Sequence, residues 1–334
     1  MDAPVPGLER FPLSACPSAV VKSARSTSGL AREIETRTTM EIGLNLPHIG
    51  SPATPDGITT FAQTAEAAGF DSLWVADHVV LHRDGASGRY PYSDSGEIGV
   101  RPTVNFLEPL ATLMYVAGLT NRIELGTAVL VLPMREPVLH AKWMASLDFL
   151  SNGRFICGAG VGWWKEEFEV LGIPFSQRGR RMDECLELYK ALWSEEFVTF
   201  DGEFYQVDGW ACNPKPVRPI PIWLGGESPQ QMRRVGQYAD GWLATAISKE
   251  TLAEDFAAAQ AAADAVGRNP AEIKLGLLGA AQLSGDNLEQ AAETLVALGE
   301  SGVDLAIVRL DARTAGYQEI LQEFGERYLT DIRG

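Results

Sequence analysis

Cysteine is scarce in this chain of 334 residues, which has only Cys16, Cys157, Cys185 and Cys212. The four are far apart and form no Cys-x-x-Cys pair, the usual unit of structural zinc sites and of many redox motifs. We therefore expect free thiols, no disulfide and no structural zinc, as in a protein of the reducing cytoplasm.

The chain also lacks a surplus of basic residues and any long apolar run. Its formal net charge is -16, whereas nucleic acids and anionic membrane surfaces attract a basic face. No apolar run approaches the roughly 18 residues of a membrane span, and no basic segment followed by an apolar one marks the N-terminus. We expect no nucleic-acid partner, no membrane span and no secretion.

What the chain does have is a regular alternation of strand-like and helix-like segments. Strands are predicted at 41–47, 72–76, 123–132, the first part of 154–168, 220–224, 241–245, 273–278 and 303–310. Helices are predicted at 57–68, 107–118, 137–150, the end of 154–168, 229–238, 251–266, 288–300 and 315–324. Eight such units favour a closed (β/α)8 TIM barrel over an open doubly wound sheet, with function at the C-terminal ends of the strands.

The alternation begins abruptly after Met40. Residues 1–39 have no sustained apolar period, so we interpret them as a disordered extension or as sequence upstream of a functional start at Met40. The barrel domain is then 40–334. Two insertions interrupt it: residues 78–106 after the second strand, and residues 171–219 after the fourth, which contain a helix at 178–193 and a hairpin signal at Asp201-Gly202.

Glycine is concentrated at the end of the fourth strand. Gly158, Gly160 and Gly162 leave one face of that strand without side chains, so a planar cofactor could lie against the backbone. A glycine-rich strand packed against its own helix is the alternative. The G-x-G-x-G spacing, with no acidic residue about 20 positions on, does not fit a dinucleotide fingerprint.

The end of the third strand also carries small side chains. Thr127, Ala128 and Val129 lie next to the glycine-rich strand in the predicted barrel, and together the two strands would offer a flat floor. A tapered barrel interior filled from elsewhere remains the alternative.

A second glycine-rich turn, Gly225-Gly226-Glu227-Ser228, follows the fifth strand. Ser228 is a good helix cap and Pro229 suits the first helical turn. Exposed N–H groups at such a helix start predict a phosphate site, against the alternative of a plain capped helix. The charge of Glu227 opposes a phosphate unless its side chain points away.

Asp77 and His78 end the second strand, at the predicted functional rim. His78 could act as acid, base or hydrogen-bond donor, or could simply be bonded to a neighbouring loop. His78 and His82 have the i, i+4 spacing of metal ligands, but no third ligand is apparent, so we expect no metal site. Arg180 and Arg181 could reach an anion or could belong to a solvated helix start.

Taken together, these segments resemble the bacterial luciferase-like monooxygenase superfamily, and most closely its branch of oxidoreductases that use the deazaflavin coenzyme F420. The resemblance spans Met40 to about Trp242. The matching segments are 69–78, 122–129, 147–154 leading into 158–168, 178–184, 221–226 and 240–242.

The resemblance implies a flavin analogue at the C-terminal rim and a non-proline cis peptide behind its ring, which here would be Ala128-Val129. Relatives that oxidise sugar phosphates have a glutamate where this chain has Trp163, so an apolar or aromatic substrate is expected instead. The cofactor contacts implied are Asp77, His78, Thr127, Ala128, Val129, Gly160, Val161, Gly162, Gly225, Gly226, Glu227 and Ser228. The substrate pocket is expected at Tyr90, Tyr92, Trp163 and Trp164.

The chemistry implied is hydride transfer between the coenzyme and an electrophile such as an enone, imine or carbonyl, with His78 or water handling the proton. The alternatives are a monooxygenase that uses reduced FMN, or a catalytically silent flavin or F420 carrier. The sequence leaves the substrate, the direction of reaction and the oligomeric state open, a homodimer included.

Overall fold

The strands of this chain pair side by side until the last one meets the first. The computed structural model describes residues 40–85, 90, 96, 98–245 and 249–333. Its strands are β1 (Glu41–Asn45), β2 (Ser72–Val75), β3 (Glu124–Thr127), β4 (Leu130–Val131), β5 (Phe155–Gly160), β6 (Val198–Asp201), β7 (Gln206–Trp210), β8 (Ile222–Gly225), β9 (Gly241–Ala244), β10 (Lys274–Leu283) and β11 (Leu305–Leu310).

The order around the barrel is β1, β2, β3, β5, β8, β9, β10 and β11, with every pairing parallel. β11 then pairs with β1, which closes the ring. β4 pairs with β5 just beyond β3, so these two short strands share one position. The predicted (β/α)8 barrel is confirmed.

Helices surround the barrel. They are α1 (Pro55–Ala68), α2 (Pro109–Ala117), α3 (Pro137–Leu150), α4 (Lys165–Val170), α5 (Arg178–Ser194), α6 (Pro229–Tyr238), α7 (Lys249–Ala265), α8 (Leu288–Glu300) and α9 (Tyr317–Arg333). Several boundaries differ from the prediction. α1 begins two residues early because Thr54 caps it and Pro55 occupies its first turn. α9 runs to Arg333 because Leu329 and Ile332 continue its buried face.

One assignment changes in the second insertion. Its helix α5 packs on α3, and the indole of Trp193 donates a hydrogen bond to the carbonyl of Ala141 (3.0 Å). α5 also contacts α6, because Lys190 donates to the carbonyl of Tyr238 (2.7 Å). α5 therefore fills the outer layer between β5 and β8, and the short helix α4 is the added element. The predicted hairpin is present as antiparallel β6 and β7.

Two tryptophans fill the barrel interior, and glycines on neighbouring strands make room for them. A Cβ on Gly126 would lie 2.4 Å from the ring of Trp74, and one on Gly241 would lie 2.5 Å from Trp223. Ile156, Leu243, Leu305 and Ile307 complete this interior cluster. Close packing of this kind leaves a solid core, so a ligand has room only above it, at the C-terminal rim.

Among the described residues, no helix is long and apolar enough to cross a membrane. The expectations for residues 1–39, Cys16 and Tyr92 lie outside the described residues. Cys157, Cys185 and Cys212 are buried free thiols, and burial raises the pKa of both Cys157 and Cys185 to about 12. Cys157 and Cys185 are therefore unreactive near neutral pH.

Candidate active site at the C-terminal rim

The floor of the candidate site is an irregular stretch between β3 and β4. The peptide bond Ala128-Val129 is cis, as the family resemblance implied. Both residues are half-buried, whereas Thr127 before them and Leu130 after them are fully buried. Ala128 and Val129 are thus the two residues of this stretch that face the rim.

The glycines beside this floor are filled by the chain itself. A Cβ on Gly160 would lie 2.7 Å from Val129, and one on Gly225 would lie 2.8 Å from the same side chain. The interpretation of the glycine face as a bare floor needs correction, because Val129 occupies the space that the glycines leave. A ring at this rim would rest on Ala128 and Val129 rather than on the glycine backbone.

Thr127 was expected to contact the cofactor, and that expectation was wrong for its side chain. Thr127 is fully buried, and its hydroxyl donates to the carbonyl of Gly158 (2.7 Å). It ties β3 to β5 below the rim and so supports the floor from beneath.

His78, which follows β2, is held by a carboxylate from the helix that follows β5. Its Nδ1 lies 2.8 Å from Oε2 of Glu167, which is in α4. The other oxygen of Glu167 accepts from the backbone N–H groups of Val79 (2.5 Å) and Val80 (3.2 Å). A carboxylate only accepts hydrogen bonds, so Nδ1 carries the proton and Nε2 of the neutral ring is an acceptor. This arrangement suits a group that takes up and releases a proton at Nε2.

Aromatic rings enclose the histidine. Phe106, Trp163 and Trp164 lie edge-on to the His78 ring at centroid distances of 5.5, 6.1 and 5.5 Å. Trp163 stacks on Trp164 (5.5 Å), and Tyr90 packs against Trp163 (5.1 Å). Trp164 is 3% exposed, so of this pair only Trp163 can offer surface to a ligand. Trp164 also supports Trp163 and His78, and its pocket role stays a prediction.

Asp77 has a structural partner. Its carboxylate forms a bidentate ion pair with Arg135 (2.6 and 2.7 Å) and accepts a hydrogen bond from the N–H of Val131 (2.9 Å). The side chain is fully buried. Asp77 therefore fixes the chain just beyond the cis peptide, and its carboxylate is not free to contact a cofactor as expected.

The start of α6 has the features of an anion site. Ser228 caps the helix by accepting from the N–H of Gln231 (3.2 Å), and Gly226 has a φ of 107° that favours glycine. Glu227 turns towards β9, where its carboxylate accepts from the hydroxyl and the N–H of Thr245. The side chain of Glu227 is thus bonded to Thr245, on the side of the next strand, as a phosphate at this helix start would require.

A buried donor lies in the first turn of α6. Gln231 is 2% exposed, and its Nε2 has no hydrogen-bond partner among the described residues. A buried amide without a partner costs about 1–3 kcal/mol, so a ligand that accepted from it would remove that penalty. The helix N-terminus and this amide together suit a phosphate.

Arginines border the same part of the rim. Arg178 donates to the carbonyl of Gly162 (3.1 Å) and stacks on Phe175, and Arg234 pairs with Asp183 (2.6 Å). Burial, and then the charge of Arg234, lowers the pKa of Arg178. Asp183 neutralises Arg234, so of these two arginines it is Arg178 that can balance an anion near the predicted phosphate site.

No metal centre accompanies these groups in the described part of the chain, where no cluster of three ligating side chains occurs. His82 is well exposed and its nearest carboxylate, on Asp84, is 3.9 Å away. The Nδ1 of His78 is hydrogen-bonded to Glu167. Both histidines lie in the loop after β2, and the absence of a metal site stays a prediction.

Sequence reasoning missed Glu167, Gln231 and Arg178. Glu167 lies in the helix predicted at the end of 154–168, and an acidic residue directly after a glycine-rich strand end is close to the rim by position. Gln231 is three residues beyond a recognised cap. The partners of these residues come from segments up to 89 residues distant, which no local pattern reveals.

The chain was also compared with known proteins. The family model for luciferase-like monooxygenases matches residues 40–331. An uncharacterized protein of Mycobacterium tuberculosis is 36% identical over 182 residues, which are 54% of this chain and 62% of that relative. An F420-dependent glucose-6-phosphate dehydrogenase of Kineococcus radiotolerans is 34% identical over 195 residues, 57% of this chain and 52% of the relative. The matched stretch thus spans about half to two thirds of these relatives.

Solved structures share the fold at low identity. An F420-dependent secondary alcohol dehydrogenase in complex with an F420-acetone adduct superimposes with a TM-score of 0.71 at 19% identity, covering 89% of this chain and all of the other. The oxygenating constituent of 3,6-diketocamphane monooxygenase from Pseudomonas putida, in complex with FMN, gives 0.68 at 15% identity, covering 87% and 98%. At these identities the likeness establishes the barrel fold.

Proposed function

Because the chain belongs to the luciferase-like monooxygenase family, we propose that it is an oxidoreductase that uses coenzyme F420 to transfer hydride to or from a small organic substrate. The glucose-6-phosphate dehydrogenase relative, whose name states F420 dependence, supports the choice of coenzyme. When bound, the coenzyme supplies or accepts the hydride at carbon 5 of its deazaflavin ring.

The residues at the rim fit this coenzyme. Ala128 and Val129 offer an apolar floor for a ring. Gly226, Ser228 and the unpaired amide of Gln231 would hold its phosphate at the start of α6. A Cβ on Gly225, at the end of β8, would lie 2.8 Å from Val129, so the floor and the phosphate site are close enough to hold two parts of one ligand.

The proton would be handled by His78. Its Nδ1–H is fixed by Glu167, so Nε2 can accept a proton from a hydroxyl group or, once protonated, donate one to a developing alkoxide. Glu167 stabilises the imidazolium, which forms when a hydroxyl group is oxidised and is consumed when an alkoxide is protonated. The aromatic enclosure limits access of water to this proton.

The substrate would lie against Trp163 and Tyr90, whose rings are in contact. This surface suits an apolar or aromatic body. A glutamate is absent at position 163, so a sugar phosphate handled by such a group is not the proposed substrate.

The observation that carries the proposal is the His78–Glu167 pair on the rim that also carries the apolar floor of Ala128 and Val129. The test combines the purified protein with reduced F420 and a panel of enones, imines and ketones, and follows formation of oxidised coenzyme by absorbance. Turnover without oxygen consumption is expected. Coenzyme binding without turnover on any electrophile would instead indicate a silent carrier.

A second candidate is a monooxygenase that uses reduced FMN, which the FMN-bound structural neighbour favours. It predicts oxygen consumption with reduced FMN and incorporation of one oxygen atom into the product. Measuring oxygen uptake with each reduced cofactor in turn separates the two candidates.

A further inference from the structure

The inward face of β11 ends in a charged side chain. Leu305 and Ile307 on this strand belong to the barrel interior, and side chains alternate along a strand, so Arg309 is the next residue on the same face. Its side chain is exposed at the C-terminal end of β11. In the described part of the chain Arg309 is in no ion pair, whereas Arg313 nearby is paired with Asp311 (2.7 Å).

The neighbouring strand is built to seat this guanidinium. Leu278 of β10 lies opposite Ile307, and Gln282 lies opposite Arg309. Between these two pairs β10 is four residues long and β11 only two, so β10 contains a bulge. Gly279, in this bulge, has a φ of 68°, and a Cβ there would be 2.9 Å from the guanidinium carbon. Bulges of this kind are frequent beside active sites, where they redirect a side chain.

Arg309 shares the C-terminal rim with the proposed site of chemistry. The ring centroids of Trp163 and His78 are 6.1 Å apart, and those of Tyr90 and Trp163 are 5.1 Å apart. Burial raises the pKa of Tyr90, and the charge of Arg309 acts on its hydroxyl in the opposite sense. β11 pairs with β1, and β1 pairs with β2, which His78 follows. Arg309 therefore lies two strands from His78 on the same C-terminal rim.

We propose that Arg309 binds a carboxylate of the substrate, so that this site takes electrophiles with an apolar or aromatic body and a carboxylate at one end. This inference rests on the proposed function for the identity of the site. A guanidinium matches a carboxylate in shape and charge. The anion site at the start of α6 is separate, because β9 and β10 lie between β8 and β11.

The experiment compares two probes of equal shape, cinnamate and its neutral amide, cinnamamide. Their affinities are measured by quenching of tryptophan fluorescence, with and without coenzyme F420. The wild type is expected to bind cinnamate about tenfold more tightly, a modest ratio because the guanidinium is partly solvated. In Arg309→Met the two probes should bind equally, with the amide affinity within about twofold of wild type.

Matched variants complete the design. Arg313→Met removes a nearby cation that is already paired, and should keep the wild-type preference. Gly279→Ala places a methyl against the guanidinium and should reduce the preference without removing the charge. Thermal unfolding of each variant shows that it is folded.

Three results would overturn the proposal: equal affinity of the two probes for the wild type, an undiminished preference in Arg309→Met, or loss of coenzyme affinity in that variant with the preference kept. The last would assign Arg309 to an anion of the coenzyme. If the wild type binds no F420 at all, the proposed function fails, while the probe comparison in coenzyme-free protein still decides the role of Arg309.

Discussion

Replacing Glu167 by glutamine isolates the role of the His78–Glu167 pair, because it changes charge and hydrogen bonding with little change in volume. The amide oxygen can still accept from Val79 and Val80, as the carboxylate does. The amide NH2 then faces Nδ1 of His78, which must become an acceptor. The neutral ring would carry its proton on Nε2, the wrong tautomer for a base.

The size of the effect follows from the contact that is lost. A hydrogen bond to a charged group contributes about 1.5–3 kcal/mol, and each 1.36 kcal/mol corresponds to about tenfold in rate. The contact between Nδ1 and Oε2 is 2.8 Å long, and Glu167 is 4% exposed, so solvent screening is small. We expect kcat to fall about 10- to 150-fold, with the coenzyme Kd within about threefold of wild type.

The assay is steady-state turnover with reduced F420, together with coenzyme binding by fluorescence. Glu169→Gln is the matched control, since Glu169 is exposed on the same helix and pairs only with Lys165 (3.0 Å) among the described residues. It should be as active as wild type.

The decisive measurement is the double variant. His78→Ala alone should lower kcat by about 100-fold or more, as general acid–base groups commonly do. If Glu167 acts through His78, adding Glu167→Gln to His78→Ala should have almost no further effect. Full activity in Glu167→Gln, or independent losses that multiply in the double variant, would refute the assigned role of the pair.

Three further predictions concern binding and stability. Gly226→Asp should weaken F420 binding at least about tenfold relative to Gly226→Asn, which has the same backbone strain without the charge; equal affinities would move the phosphate elsewhere. Trp163→Ala should raise KM for bulky apolar substrates and leave the coenzyme Kd nearly unchanged, whereas loss of coenzyme binding would put the ring on the other side of the pocket. Burial, and then the charge of Arg135, lowers the pKa of His140 to about 3, so the stability it contributes as a neutral group is present above its ordinary pKa of about 6.5 and is lost as pH falls towards 3. Lowering the pH from 7 to 5 should therefore cost about 2 kcal/mol through His140 alone, and the drop measured by urea unfolding of His140→Phe should be smaller than that of wild type by about this amount.

Much of the fold could be predicted from the sequence because it depends on local periodicity. Alternating strand and helix patterns predicted the barrel, and the segments around Asp77, Gly160 and Gly226 predicted the family, both of which are confirmed. The cis peptide at Ala128-Val129 is also present as expected. Where a boundary failed, as at the start of α1, a local cap and a proline explain the difference.

The composition of the site depended on the tertiary structure. Glycine spacing indicated open space beside β5, but only packing shows that Val129 fills it. Asp77 and His78 are adjacent in sequence, yet one is bound by Arg135 and the other by Glu167. These pairings join residues 58 and 89 positions apart, and a sequence pattern holds no information on which side chains converge when a barrel closes.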